Sequence, residues 1–209
     1  MTSKLSSFMI LKRYIALMLT ALLTIPAGMA SDFDYPAGGS RKGVGISTDV
    51  IAIGLPAAAL TMVLAKKDWN GLVRGSIEAA GVIGTSYLLK EVIHSDRPDH
   101  SNDHSFPSLH AATSFLTASF VMKRYGWKVG VPAYALATYV GWGRIYSKKH
   151  HFWDVAAGAA LGTAVGLVFT TPYMEKHNVT VEPGIISTPS PIPNSAPQTQ
   201  LSLTTKITF

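Results

Sequence analysis

Between Val50 and Thr171 five apolar segments alternate with short polar connections, and none of them alternates with a period of two. They run at about Val50–Ala65, Leu72–Ile93, Leu109–Met122, Val129–Trp142 and Val155–Thr171. Alanine, glycine and leucine dominate, and apolar runs of this composition and period form helices rather than strands. The expected fold is therefore all-α, a helical bundle of about five core helices. Charged residues make up 14% of the chain, against about 25% in soluble domains, so the bundle is expected to be membrane-embedded. Most segments are shorter than the roughly 20 residues of a spanning helix, which keeps a tightly packed soluble bundle open. Small residues in Gly81-Val82-Ile83-Gly84 and Gly158-Ala159-Ala160-Leu161-Gly162 would let helices approach closely. Arg74 and Glu78, one turn apart, are placed to pair as a solvated or interfacial couple.

The flanks differ in character. Lys4, Lys12 and Arg13 precede an apolar stretch from Tyr14 to Ile25, Pro26 breaks it, and Gly28-Met29-Ala30 supplies a cleavage site before Ser31. Residues 1–30 thus read as a signal peptide or, uncleaved, as a first transmembrane helix. Residues 31–45 are a polar linker, residues 46–171 the helical domain, and residues 172–209 a Pro-rich, largely disordered tail. The alternation from Leu201 to Phe209 leaves room there for a short hairpin. The chain has no cysteine, which excludes disulfides, thiol redox chemistry and thiolate metal sites. Its net charge of +6 is scattered between apolar runs and forms no basic stripe, so no nucleic-acid partner is expected.

Three polar clusters interrupt the apolar segments: Lys90 to Pro98, Phe106 to His110, and Gly143 to Asp154. In an alternating bundle they fall at one end. Lys66-Lys67 and Lys123-Arg124 with Lys128 fall at the other, and the positive-inside rule places that other end in the cytoplasm. The clusters supply what phosphoryl transfer without a metal requires: cations for the equatorial oxygens, a nucleophile and a proton donor. Pro98 biases Arg97 to an extended backbone, turning it toward the same rim as Lys90. Ser108 is placed as an N-cap, and a helix N-terminus is an anion site. His150 and Asp154 are four apart, so a helix beginning there would set a carboxylate one turn from the imidazole, whereas His151 has Val155 at that spacing. Arg144 brings a bidentate fork for phosphate. Three cations on one rim repel a divalent ion, so no metal and no cofactor are expected.

Lys90-x6-Arg97-Pro98, Pro107-Ser108-x-His110 and Arg144-x5-His150-x3-Asp154, in that order, resemble the three signature motifs of the type 2 phosphatidic acid phosphatase superfamily. That superfamily includes membrane lipid phosphatases, bacterial acid phosphatases and vanadium haloperoxidases, and the resemblance covers about residues 46–171. It implies a metal-independent reaction through a phosphohistidine. His150 would be the nucleophile and Asp154 would orient it. His110 would protonate the leaving alcohol and then activate water, while Lys90, Arg97, Ser108 and Arg144 would hold the phosphate. Leu109 stands where the pattern has glycine and Gly143 where it has serine. The leucine is harmless if residue 109 already begins the helix, and loss of the serine removes one hydrogen bond to phosphate. The expected enzyme hydrolyses a lipid phosphate or pyrophosphate at the periplasmic face of a bacterial inner membrane. The alternatives are a soluble periplasmic acid phosphatase, a vanadate-dependent haloperoxidase, and a membrane scaffold that has lost activity.

Overall fold

The computed structural model describes residues 40–173, 178–188 and 198–208. The segment read as a signal peptide or first transmembrane helix, and most of the expected linker, lie outside these residues. Five α-helices follow one another among the described residues: α1 (Ser40–Ala65), α2 (Trp69–Val92), α3 (Leu109–Tyr125), α4 (Trp127–Tyr146) and α5 (Phe152–Phe169). The fold class read from the apolar segments is the one observed. Residues 174–209 form a separate unit, in which β1 (Asn178–Thr188) pairs antiparallel with β2 (Gln198–Thr208). The alternating end of the tail is thus a strand, and the hairpin takes up more of the tail than a largely disordered segment would.

α3 is the axis of the helical unit and packs against each of the other four helices. Its apolar core joins Leu55, Ala59 and Val63 of α1, Leu72 of α2, Ala118, Phe120 and Val121 of α3, and Ala133 and Ala137 of α4. The closest approach is between α3 and α5. A Cβ on Gly158 would lie 2.4 Å from Ser108 O, and one on Gly162 would lie 2.1 Å from Ala112 O. Only glycine lets the backbones meet there, as the small-residue run predicted. Gly81 and Gly84 have nothing within 4 Å, so that second run makes no such contact.

α1 begins ten residues before the apolar segment does, which overrides the linker expected up to residue 45. The reason is tertiary: Val44 and Thr48, in the polar first half of this helix, pack onto Gly143 of α4. Arg74 and Glu78 also find other partners. Arg74 donates to Phe169 O, and Glu78 is buried and accepts from Thr170 Oγ1 at 2.9 and 3.0 Å.

At the basic end of the bundle Asp68 caps α2 and accepts hydrogen bonds from Gly71 N, Tyr125 Oη and the Arg124 guanidinium. Burial pushes the Asp68 carboxyl up, but these bonds prevail and hold it below the ordinary range. Arg124 also donates to Thr171 O, which ties the chain leaving α5 to the end of α3. Arg124 is therefore a buried structural cation, while Lys66, Lys67 and Lys128 are exposed at this end.

Candidate active site

The opposite end gathers the C-termini of α2 and α4 and the N-termini of α3 and α5. Lys90, Arg97, Ser108, His110, Arg144, His150 and Asp154 are all buried there. Lys90 sits in the last turn of α2 and its Nζ donates to His104 O at 2.7 Å. The chain then leaves the helix and doubles back: Arg97 N donates to Asn102 O, Ser95 N to Asp103 O and Ser105 N to Ser95 O. This loop presents Arg97, whose Nε donates to Asn102 Oδ1 at 2.8 Å. On its rim Asp103 lies between His94 Nδ1 at 3.2 Å and His104 Nδ1 at 2.8 Å.

Ser108 is the N-cap of α3, its Oγ accepting from Ala111 N. Ser108 N in turn donates to the backbone carbonyl of Asp154 at 3.0 Å, which fastens the start of α3 to the start of α5. Leu109 is the first helical residue, buried and at negative φ, so leucine in place of glycine imposes no strain. Gly143 is different. A Cβ there would lie 2.2 Å from Thr48 Cγ2, so a serine at 143 has no room while Thr48 is in place.

The turn from Arg144 to His150 closes on the Arg144 carbonyl, which accepts from Lys149 N and His150 N. Lys149 is buried and paired with Asp99 at 2.9 Å, which joins the first cluster to the third. Burial pushes Asp99 up, yet the bonds from Ser101 and Lys149 hold its carboxyl below the ordinary range. His150 is 1% exposed, and its Nε2 has no hydrogen-bond partner among the described residues. Burial first, then the charges of Arg144, Arg97 and Lys90 and the neighbouring His110, hold its pKa well below the ordinary 6.5. The result is a neutral imidazole among three cations, with one nitrogen unengaged.

Two geometric expectations need correction. α5 begins at Phe152 with His151 as its N-cap, so His150 precedes the helix and the one-turn relation to Asp154 does not hold. His150 Nδ1 is 3.9 Å from Asp154 Oδ2, beyond hydrogen-bond distance. Ser105 stands between them, donating to Asp154 Oδ2 at 2.5 Å and lying 3.4 Å from His150 Nδ1. His151, expected to lack the carboxylate, has it: its backbone N donates to Asp154 Oδ2 at 2.7 Å and its Nδ1 is 3.3 Å away. The His151 ring is nonetheless half exposed, unlike that of His150.

Sequence reasoning also missed Asp49. This residue of α1 is 6% exposed, with Oδ1 2.6 Å from Arg144 Nη1 and 3.2 Å from His110 Nε2. The available signal was a lone carboxylate directly before the first apolar segment, α1 having no other acidic residue. Ser105 carried no comparable signal.

Residues 76–177 match the family model described as the PAP2 superfamily. The chain is 31% identical over 134 residues to the lipid A 4'-phosphatase of Helicobacter pylori, covering 59% of this chain and 68% of that protein. It is 38% identical over 73 residues to the lipid A 1-phosphatase of Porphyromonas gingivalis, covering 34% of this chain and 16% of that longer protein. Among solved structures, a transmembrane PAP2-type phosphatidylglycerolphosphate phosphatase from Bacillus subtilis aligns with 75% of this chain and 92% of its own. The TM-score of that alignment is 0.40 and the identity 20%.

Proposed function

The chain belongs to the PAP2 superfamily and is a phosphatase, and from that premise we propose that it hydrolyses a lipid phosphate monoester at the outer face of a bacterial inner membrane, without a metal. The observation that carries the reading is His150: a buried neutral imidazole with Nε2 unengaged, surrounded by Lys90, Arg97 and Arg144. A neutral imidazole is the nucleophilic form, and the cations match the charge that spreads over the equatorial oxygens of a phosphoryl group in transfer. In this reading Nε2 attacks phosphorus as the ester P–O bond breaks, and His110 gives its proton to the departing oxygen. Water then displaces the imidazole, with His110 taking the proton back. Ser105 and Asp154 hold the Nδ1 side of His150. Lipid A phosphates are the substrates to try first, because the two curated relatives are named for them.

The membrane part rests on the surface of the helical unit. Among the described residues, α1 and α5 are long and apolar enough to cross a membrane. Large apolar side chains such as Val50, Ile53, Ile77, Leu88, Val131 and Val168 are exposed. Tryptophans mark both ends: Trp69 and Trp127 at the basic end, Trp142 and Trp153 at the site end, all exposed. Exposed apolar flanks between two aromatic belts suit a bilayer and would be a liability in water. Exposed Lys66, Lys67 and Lys128 at the far end favour an outward site by the positive-inside rule, and exposed Arg41, Lys42 and Lys148 at the site end weigh against it.

The test is phosphate release by purified protein in EDTA, from lipid A phosphates and other lipid phosphates against a soluble aryl phosphate, with His150→Ala beside wild type. We expect preference for a lipid and loss of turnover in the variant. Equal or faster turnover of the soluble ester would move the protein to the acid phosphatases, and near-normal activity of His150→Ala would remove the nucleophile assignment.

A further inference from the structure

Asp49 occupies a position that neither the three motifs nor the family-matched stretch explains. It comes from α1, outside residues 76–177, yet its carboxylate reaches His110 and Arg144, the proton donor and a phosphate-binding cation of the proposed reaction. All three groups are nearly or wholly buried. Burying a carboxylate between two functional groups is costly unless it is hydrogen-bonded and paired, and here the partners are the groups that handle substrate.

We propose that Asp49 is the positioning residue of the general acid, forming with His110 a carboxylate–imidazole dyad that fixes which ring nitrogen carries the exchangeable proton. The inference rests on the phosphatase reading above. An ionised carboxylate accepts and cannot donate, so the group 3.2 Å from it must be Nε2–H. Neutral His110 is thereby held as the Nε2–H tautomer, and the proton it gains and loses is on Nδ1. The cycle balances on that atom. When the bond from phosphorus to the leaving oxygen breaks and the bond to His150 Nε2 forms, the Nδ1 proton passes to the alkoxide and leaves His110 neutral. When water attacks the phosphorus, one of its protons returns to Nδ1 as the bond to His150 breaks. Throughout, Asp49 keeps Nε2–H and offsets the charge of the imidazolium that donates in the first step and is restored in the second.

The same oxygen holds Arg144, 2.6 Å away, so the acid and the phosphate clamp share one anchor. The α1 packing serves this contact. Thr48 fills the space over Gly143 that a larger residue at 143 would take, and that seating carries its neighbour Asp49 to Arg144. The absence of a side chain at 143 and the carboxylate at 49 are two parts of one arrangement.

Asp49→Asn separates the roles. The amide keeps the size of the carboxylate but can donate to Nε2, which permits the tautomer with the proton already on Nδ1 and no longer supports the imidazolium. The probes are a matched pair, an alkyl phosphate and a nitrophenyl phosphate bearing the same tail, and the readout is kcat/KM. For the alkyl ester, whose leaving group needs a proton, we expect Asp49→Asn to lose about a hundredfold or more. For the nitrophenyl ester, which leaves unaided, the loss should stay within about tenfold, because acid assistance contributes little to a good leaving group. His110→Ala should show the same selectivity, and the double variant should be no worse than His110→Ala alone. Equal loss on both esters would reduce Asp49 to an anchor for Arg144, and unchanged kinetics would remove it from the site; either result overturns the proposal. Additive losses in the double variant would do the same, including where Asp49→Asn is less stable. If wild type releases phosphate from neither ester, it is the phosphatase reading that fails, and the two failures are thus distinct.

Discussion

His150 is the residue on which proton chemistry and stability meet. Its surroundings hold its pKa well below the ordinary imidazole value of 6.5, so, if His150 is the nucleophile as proposed, the acid limb of kcat/KM should lie below that pH. The same shift has a thermodynamic consequence. As pH falls below 6.5 the unfolded chain takes up a proton that folded His150 refuses, so stability falls at about 1.4 kcal/mol per pH unit from this group alone. His150→Asn should remove that component, and comparing denaturation of the two proteins between pH 7 and pH 5 checks it; parallel curves would mean that His150 is solvated. His151→Ala should cost little turnover, since its ring is half exposed and the bond from His151 N to Asp154 survives the substitution. The seven motif residues were legible as three polar clusters between apolar runs, and the structure gathers all seven at one end, where the proposed reaction would use them. Ser105, standing between His150 and Asp154, was not, because it meets them only through a loop whose path the spacing does not encode.

At the scale of elements, the site is set by where helices can touch. Gly158 and Gly162 bring α5 against the first turns of α3, and Gly143 lets α1 close over α4. Restoring the serine of the family pattern is therefore predicted to do harm. Gly143→Ser would place its Cβ 2.2 Å from Thr48 Cγ2 and destabilise the protein by roughly 1–3 kcal/mol, the usual range for overpacking. Adding Thr48→Ala removes the obstructing methyl and should recover most of the loss, along with phosphate turnover if the alignment of Asp49 returns. Thermal unfolding of the two single variants and the double one reads the coupling, and additive effects would mean that α1 does not seat on α4 in this way. Five helices were legible from apolar runs lacking period-two alternation. The polar first half of α1 was not, because contacts with α4 hold it helical rather than its own hydrophobicity. Gly81-x2-Gly84 shows the converse: the same small-residue pattern occurs with nothing packed against it.

For the whole molecule, the two ends of the bundle divide the work. One end is closed by Asp68, Arg124 and Thr171, and the other gathers the residues of the proposed phosphate site. In the proposed orientation the closed end faces the cytoplasm, and the buried pairing of Arg124 with Asp68 removes one cation from the count that sequence would make there. Lys66, Lys67 and Lys128 remain exposed at the closed end. At the site end Lys149 is paired with Asp99, while Arg41, Lys42 and Lys148 are exposed, so the charge balance does not decide the sides and labelling must. The chain contains no cysteine, which makes a direct test of orientation available. Lys128→Cys places a thiol in the exposed first turn of α4 at the closed end, and Asp96→Cys places one in the exposed loop after Lys90. In intact cells whose outer membrane admits a membrane-impermeant maleimide, Asp96→Cys should react and Lys128→Cys should react only after the inner membrane is opened. The reverse pattern would put the site in the cytoplasm and require a substrate available there, overturning the outward assignment. Prompt labelling of both in the intact cell, with the protein released by osmotic shock, would mean that no bilayer separates the two ends. The exposed belt of tryptophan and aliphatic side chains would then need another apolar partner to cover it.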